Sequence, residues 1–322
     1  MSEDIVCKVL ICDDDNDARG IIRTFCQENH LIVLKVDSSN IMDVLNTNID
    51  LGGVFLFEDV DGVKRKGIDL GVKIHHTRRE LPIFLRSARV NTIEDLPDNA
   101  KKAFGGIFHL EALDELKRLI DTYLFGMFYP DPLVRGIQEI SFDAFHEQVK
   151  GIDVTCELPY LVKDQIIFGE LFSLIPLESD WCRGYMMLQT EEDHILEMVQ
   201  NNRTSIDPKK DIDFRDVNSI LGEMTNLIWG GIKNQFFSNP PDALALRTQV
   251  PTIVNHGRRY ISFGSAEPQL CFRYRFDDKE GKMDPVTLYQ KLVFNLSWSP
   301  DRFQESQKTM DDFVENGELE LF

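Results

Sequence analysis

Several things are scarce in this chain. No apolar run approaches the roughly 18 residues needed to span a bilayer, and the first residues, MSEDIV, lack the basic stretch that opens a secretory leader. A cytoplasmic location without a membrane partner is the resulting expectation. Positive charge is also short: 35 Lys and Arg stand against 54 Asp and Glu, a formal net charge of -19. Nucleic acid and anionic lipid surfaces are bound by clustered cations that release counterions, so neither is expected as a partner. The six cysteines, at 7, 12, 26, 156, 182 and 271, form no CxxC pair and no Cys/His cluster. That excludes a recognisable zinc site and a thioredoxin-like motif and leaves reduced, mostly buried thiols. There is no GxxxxGK[ST], HExxH, GxSxG or post-strand GxGxxG motif, so the common nucleotide, metalloprotease and hydrolase signatures are missing.

The 322 residues suit two domains, each able to bury a core. In the first, VCKVLIC at 6–12 is a short β-rich run followed by Asp13-Asp14-Asp15 and a helical pattern through Ala18, Ile21, Ile22 and Phe25. LIVLKV at 31–36 precedes a helix near 40–46; VFLF at 54–57, PIFL at 82–85 and GIF at 106–108 follow, then a helix over about 111–124. Strands alternating with helices predict an α/β doubly wound parallel sheet covered on both faces, here assigned to residues 1–125. GMFYPDPLVRG at 126–136 breaks helices and marks a linker at 126–135.

From 136 to 300 the character changes to an α+β layout with a mainly antiparallel sheet. A helix is predicted at 136–149, strands lie within 166–177, 182–189, 258–265 and 270–276, and one long helix covers about 213–237. Residues 301–322 form a polar, acidic tail with no assigned role. On the long helix, 100° per residue gathers Val217, Ile220, Leu221, Met224, Leu227, Ile228 and Gly231 into one stripe. Ser219, Glu223, Asn226 and Gly230 fall on the opposite, exposed side. Gly231 would permit close packing, and Gly230 would leave room for a partner's backbone. Trp229 lies at the edge, open between a partner contact and ordinary packing. His75 and His76, beside Arg78 and Arg79, read as a solvated basic patch.

Two resemblances rest on these residues. The acidic cluster after the first strand, the five-strand alternation and PIFLRSA at 82–88 resemble the receiver domain of two-component response regulators over residues 5–124. By that resemblance Asp13 and Asp14 match a Mg²⁺-holding pair and Ser87 the phosphoryl-contacting hydroxyl. Glu58 stands where the nucleophilic Asp belongs, Asp59 one step on, and His109 or Leu110 at the Lys position. A Glu is one methylene too long for attack and imitates the charge of an acyl phosphate, so a degenerate, unphosphorylated receiver is expected. The residues themselves leave other readings open: Asp13 to Asp15 as an acidic helix start, Glu58 as a surface side chain, or Asp59 as the acceptor through a shifted register.

The second resemblance is carried by SILGEMTNLIWGGIK, with Ser219-xxx-Glu223-xx-Asn226-xxx-Gly230, and by QVPTIVNHG at 249–257. It looks like the signature helix of the CheC/CheX/FliY phosphatases and covers roughly 136–297. The resemblance implies a protein-aspartyl-phosphate phosphatase acting on a phosphorylated response-regulator receiver. Glu223 would anchor that partner through a Lys, Asn226 would orient the attacking water, and Ser219 and Gly230 would lie against it. No cofactor of the chain's own is implied, since Mg²⁺ would come with the partner receiver. The helix near 136–149 holds Glu139 without an ExxN, which implies one active site per chain. A homodimer is also consistent with the resemblance. The alternatives are a non-enzymatic adaptor built from a degenerate receiver and an inactive CheX-like domain, and a chain whose second domain acts on its first.

Overall fold

The computed structural model describes residues 5–47, 50–163, 166–167, 171–179, 181–205, 214–237, 250–255, 261–262 and 268–303. The first half runs β1 (Val6–Cys12), α1 (Asn16–Glu28), β2 (Leu31–Lys35), α2 (Ile41–Asn46), β3 (Gly53–Phe57), α3 (Lys66–Thr77), β4 (Ile83–Arg86), β5 (Gly106–Phe108) and α4 (Leu113–Tyr123). Its five strands pair in parallel in the order β2-β1-β3-β4-β5. Side chains alternate between the faces of a strand. Val9, Ile11, Phe55, Phe84 and Phe108 therefore join Leu116 and Ile120 of α4 in one core, while Leu10, Val54, Leu56, Ile83 and Leu85 join Ile41, Ile68 and Ile74 in another. This is the doubly wound sheet the sequence implies, with one departure. No α-helix links β4 to β5: turns and a 3-10 turn at Ile93–Asp95 fill the connection, where Asn91, Pro97, Asp98 and Asn99 favour turns over a helix.

The second half runs α5 (Asp131–Gln148), β6 (Ile152–Cys156), β7 (Tyr160–Val162), β8 (Ile166–Ile167), β9 (Leu171–Glu178), β10 (Cys182–Thr190), α6 (Glu192–Gln200), α7 (Phe214–Phe236), β11 (Thr252–Asn255), β12 (Ile261–Ser262), β13 (Gln269–Asp278) and β14 (Val286–Trp298). Antiparallel pairing gives the order β11-β9-β10-β14-β13, with β6 and β7 sharing the far edge of β13. The helix expected at 136–149 begins earlier, at Asp131, because Pro130 caps it and Pro132 sits in its first turn, where a missing N–H costs nothing. Gly136 lies inside that helix, and only residues 124–130 connect the halves. The β-rich run at 166–177 holds β8 and most of β9. The tail from 304 onward lies outside the described residues.

The two halves share one sheet of 12 strands. β7 pairs in parallel with the start of β1, Val6 opposite Tyr160 and Cys7 opposite Leu161, on the same edge that β3 takes from Val9 onward. Val6 N–H donates to the Pro159 carbonyl and Lys163 N–H to that of Leu51, at 3.0 and 3.1 Å. No helix among the described residues is long and apolar enough to cross a membrane.

Candidate functional site

The helix α7 is held by its apolar side. Val217, Ile220, Leu221, Met224, Ile228 and Ile232 are buried, and Thr225 Oγ1 donates to the Leu221 carbonyl at 2.6 Å while meeting Ser173 Oγ of β9 at 2.5 Å. Two glycines let α5 and α7 approach closely. A Cβ on Gly231 would meet Ile140 Cγ2 at 2.5 Å, and one on Gly136 would meet Phe236 Cζ at 2.4 Å. Gly231 thus has the packing role its place on the stripe predicts. Trp229 is 9% exposed and packs edge to face on Phe237, ring centroids 5.4 Å apart, so it is a packing residue and not part of the free face.

The opposite side is open. Ser219, Glu223 and Asn226 are exposed and Gly230 half-buried, and a Cβ built on Gly230 would have nothing within 4 Å. Among the described residues, neither Glu223 nor Asn226 has a hydrogen-bond or ion-pair partner. β11 flanks the helix, with Ile253 Cδ1 3.3 Å from the Cβ position of Gly222, and Asn255 is tied to Glu192 at the start of α6. The helix is thereby fixed on three sides, and its free side carries the Glu223 carboxylate, the Asn226 amide, the Ser219 hydroxyl and the bare backbone of Gly230.

A second cluster forms where the carboxyl ends of β1, β3 and β4 meet, the end at which open parallel sheets place ligands. Asp13, Glu58, Arg86 and Ser87 are all buried there. The Arg86 guanidinium grips Asp13 with two hydrogen bonds, Nε to Oδ2 at 2.5 Å and Nη2 to Oδ1 at 2.8 Å, and lies 3.7 Å over the Phe57 ring. Ser87 Oγ donates to Glu58 Oε2 at 2.5 Å, and Arg89 Nη2 reaches Glu58 Oε1 at 3.0 Å. Glu58 is therefore a buried, fully engaged side chain rather than a loop surface residue.

The neighbouring groups are committed too. Asp14 is exposed and accepts the Asp61 backbone N–H, and Asp15 caps α1 by accepting from the N–H groups of Asp17 and Ala18. Asp59 binds Arg89 and the Arg65 N–H; burial pushes its carboxyl up, and these bonds more than offset that to hold it below the usual range. His109 Nδ1 lies 2.6 Å from the Ser87 carbonyl at the position the resemblance gives to Lys.

A Mg²⁺ ion held by Asp13 and Asp14 was the expectation for this pocket, and the donor set does not fit it. Both oxygens of Asp13 are taken by Arg86, and Asp14 accepts the Asp61 N–H. No local pattern in the sequence marks Arg86, because its partner lies 73 positions away. The basic patch around His75 is likewise smaller than expected: Arg78 is buried and paired with Glu80, Nε to Oε1 at 3.2 Å.

Residues 171–275, which include α6, α7 and β9 to β12, match the family model described as chemotaxis phosphatase CheX. No curated protein matches the chain. Among solved structures, the chain is similar to a chemotactic CheC-like protein from Shewanella oneidensis MR-1, at 16% identity over 51% of this chain and 95% of that one, TM-score 0.34. It is similar to the chemotaxis protein CheX from Vibrio vulnificus at 18% identity, over 51% of this chain and 97% of that one, TM-score 0.31. It is also similar to the receiver domain of the Francisella response regulator 1452 at 22% identity, over 36% of this chain and 96% of that one, TM-score 0.31. The chain joins a receiver-like parallel α/β domain to an α+β CheX-like domain that carries α7.

Proposed function

We propose that the free face of α7 is the active face of a protein-aspartyl-phosphate phosphatase whose substrate is a separate, phosphorylated response-regulator receiver. The observation that carries this reading is the pairing of Glu223 and Asn226: both exposed, both without a partner among the described residues, on a helix whose other sides are locked. An acyl phosphate is already labile, so its hydrolysis is accelerated by placing a water in line with the P–O bond that breaks. An Asn amide offers both a donor and an acceptor for that task. Asn226 would hold the water, which adds to phosphorus as the partner's aspartyl carboxylate leaves. Glu223 would anchor the partner through a cation, and Gly230 would let its backbone approach. The partner would bring its own Mg²⁺, and the chain would need no cofactor.

The test is phosphate release from a panel of phosphorylated receivers in Mg²⁺, with wild type, Asn226→Ala and Glu223→Ala. The reading predicts acceleration by wild type, a loss of about 10²-fold in Asn226→Ala, and weakened partner binding in Glu223→Ala, with circular dichroism unchanged in both. Saturable binding of a receiver without any acceleration by wild type would favour the adaptor instead.

A further inference from the structure

The receiver-like pocket contains a cation supplied by the chain itself. Arg86 is 6% exposed and Asp13 4%, their contact is a two-point fork, and Arg86 Nη2 also lies 3.7 Å from Asp15 Oδ2. Guanidinium stays charged at every physiological pH and matches a carboxylate's two oxygens, so this pair is geometrically defined as well as ionic. Mg²⁺ demands near-octahedral oxygen ligands. It could take Asp13 only if Arg86 were expelled from a buried site and from its stack on Phe57.

Glu58 shows the same closure one strand over. It is 2% exposed, with one oxygen bound by the Ser87 hydroxyl and the other by Arg89, so both carboxylate oxygens are engaged within the chain. The Glu58 N–H donates to the Arg86 carbonyl at 3.0 Å, and the Gly67 N–H to the Glu58 carbonyl at 2.9 Å. A Cβ on Gly67 would overlap the Phe57 carbonyl oxygen at 1.8 Å, so this backbone crossing is tight as well. The hydroxyl, the two carboxylates and the two cations thus complete one another without a ligand.

We propose that Arg86 is the resident cation of this pocket, standing in for a divalent metal. With Glu58 closed on Ser87 and Arg89, it holds the receiver-like domain in a single state that neither Mg²⁺ nor a phosphodonor alters. The domain is then a constant surface and not a signal input, whatever α7 does. This inference stands apart from the phosphatase reading, and its test does not measure phosphate release.

The test uses the full chain and two probes, Mg²⁺ and beryllofluoride, read by calorimetric titration and thermal unfolding. Wild type should give no saturable heat and no shift in Tm with either. Arg86→Ser should melt several degrees lower, and millimolar Mg²⁺ should restore part of that loss by binding the folded state. Arg86→Lys, which keeps a positive charge, should fold and remain insensitive to Mg²⁺. Saturable Mg²⁺ binding or a beryllofluoride response in wild type would overturn the proposal. So would a folded Arg86→Ser that ignores Mg²⁺, because the position would then not be a metal's. If Arg86→Ser does not fold, wild type and Arg86→Lys decide the question alone.

Discussion

At the scale of single residues, two adjacent glycines of α7 have opposite environments. A Cβ on Gly230 has open space around it, whereas one on Gly231 collides with Ile140. A mid-helix Gly is unfavourable by roughly 0.5–1 kcal/mol relative to Ala. Gly230→Ala should therefore raise the unfolding free energy by about that amount in urea denaturation. If the partner's backbone passes over this position, the same variant should lose roughly tenfold or more in phosphate release, since a displacement near 1 Å misaligns the water. A gain in stability coupled to a loss of rate would locate the partner there. A variant as active as wild type would remove Gly230 from the contact face.

At the scale of elements, α5 and α7 are held together by reciprocal notches, Gly231 receiving Ile140 and Gly136 receiving Phe236. Gly231→Ala should lower stability by about 1–3 kcal/mol through overpacking. Combining it with Ile140→Ala, which removes the Cγ2 atom that the new Cβ would meet, should relieve that overlap. The two changes should thus be non-additive in a double-mutant cycle. The faces of α7 were legible in the sequence because a regular helix converts spacing into direction at 100° per residue. The parallel strands were legible because VCKVLIC, VFLF and PIFL are buried on both faces and read as continuous apolar runs. α6 and β14 went unread, and the start of α5 was misread, since its prolines signal a break in sequence and a first turn in the fold. The fork between Arg86 and Asp13 was hidden for a different reason: it joins the ends of two strands, and no local pattern encodes such a meeting.

At the scale of the whole molecule, the junction was the least legible feature, because YLV at 160–162 is a three-residue strand with no period to detect. A buried polar group secures it. Asp50, 9% exposed, accepts from Tyr160 Oη at 2.6 Å and pairs with Lys291 Nζ at 3.3 Å, while Lys8 Nζ lies 4.3 Å over the Tyr160 ring. Asp50 belongs to the receiver-like half, and Tyr160 and Lys291 to the CheX-like half. Burial pushes the Asp50 carboxyl up, and the Lys291 charge with the Tyr160 hydroxyl more than offsets it, leaving the group below its usual range. A carboxyl depressed in the folded state contributes stability above its unfolded pKa of about 3.9, and that contribution is lost as pH falls through the lower folded value. At neutral pH the junction is therefore at full strength, and the continuous sheet should make both halves unfold as one unit. The three tryptophans, Trp181, Trp229 and Trp298, all lie in the second half, so their fluorescence reports that half while far-ultraviolet circular dichroism reports both. In urea at neutral pH the two signals should coincide, the signature of one cooperative transition. Asp50→Asn removes the carboxylate that Tyr160 and Lys291 share across the junction, so it should lower stability and separate the two signals. If wild type itself gives two separate transitions, the shared sheet does not couple the halves and the receiver-like domain is an independent unit.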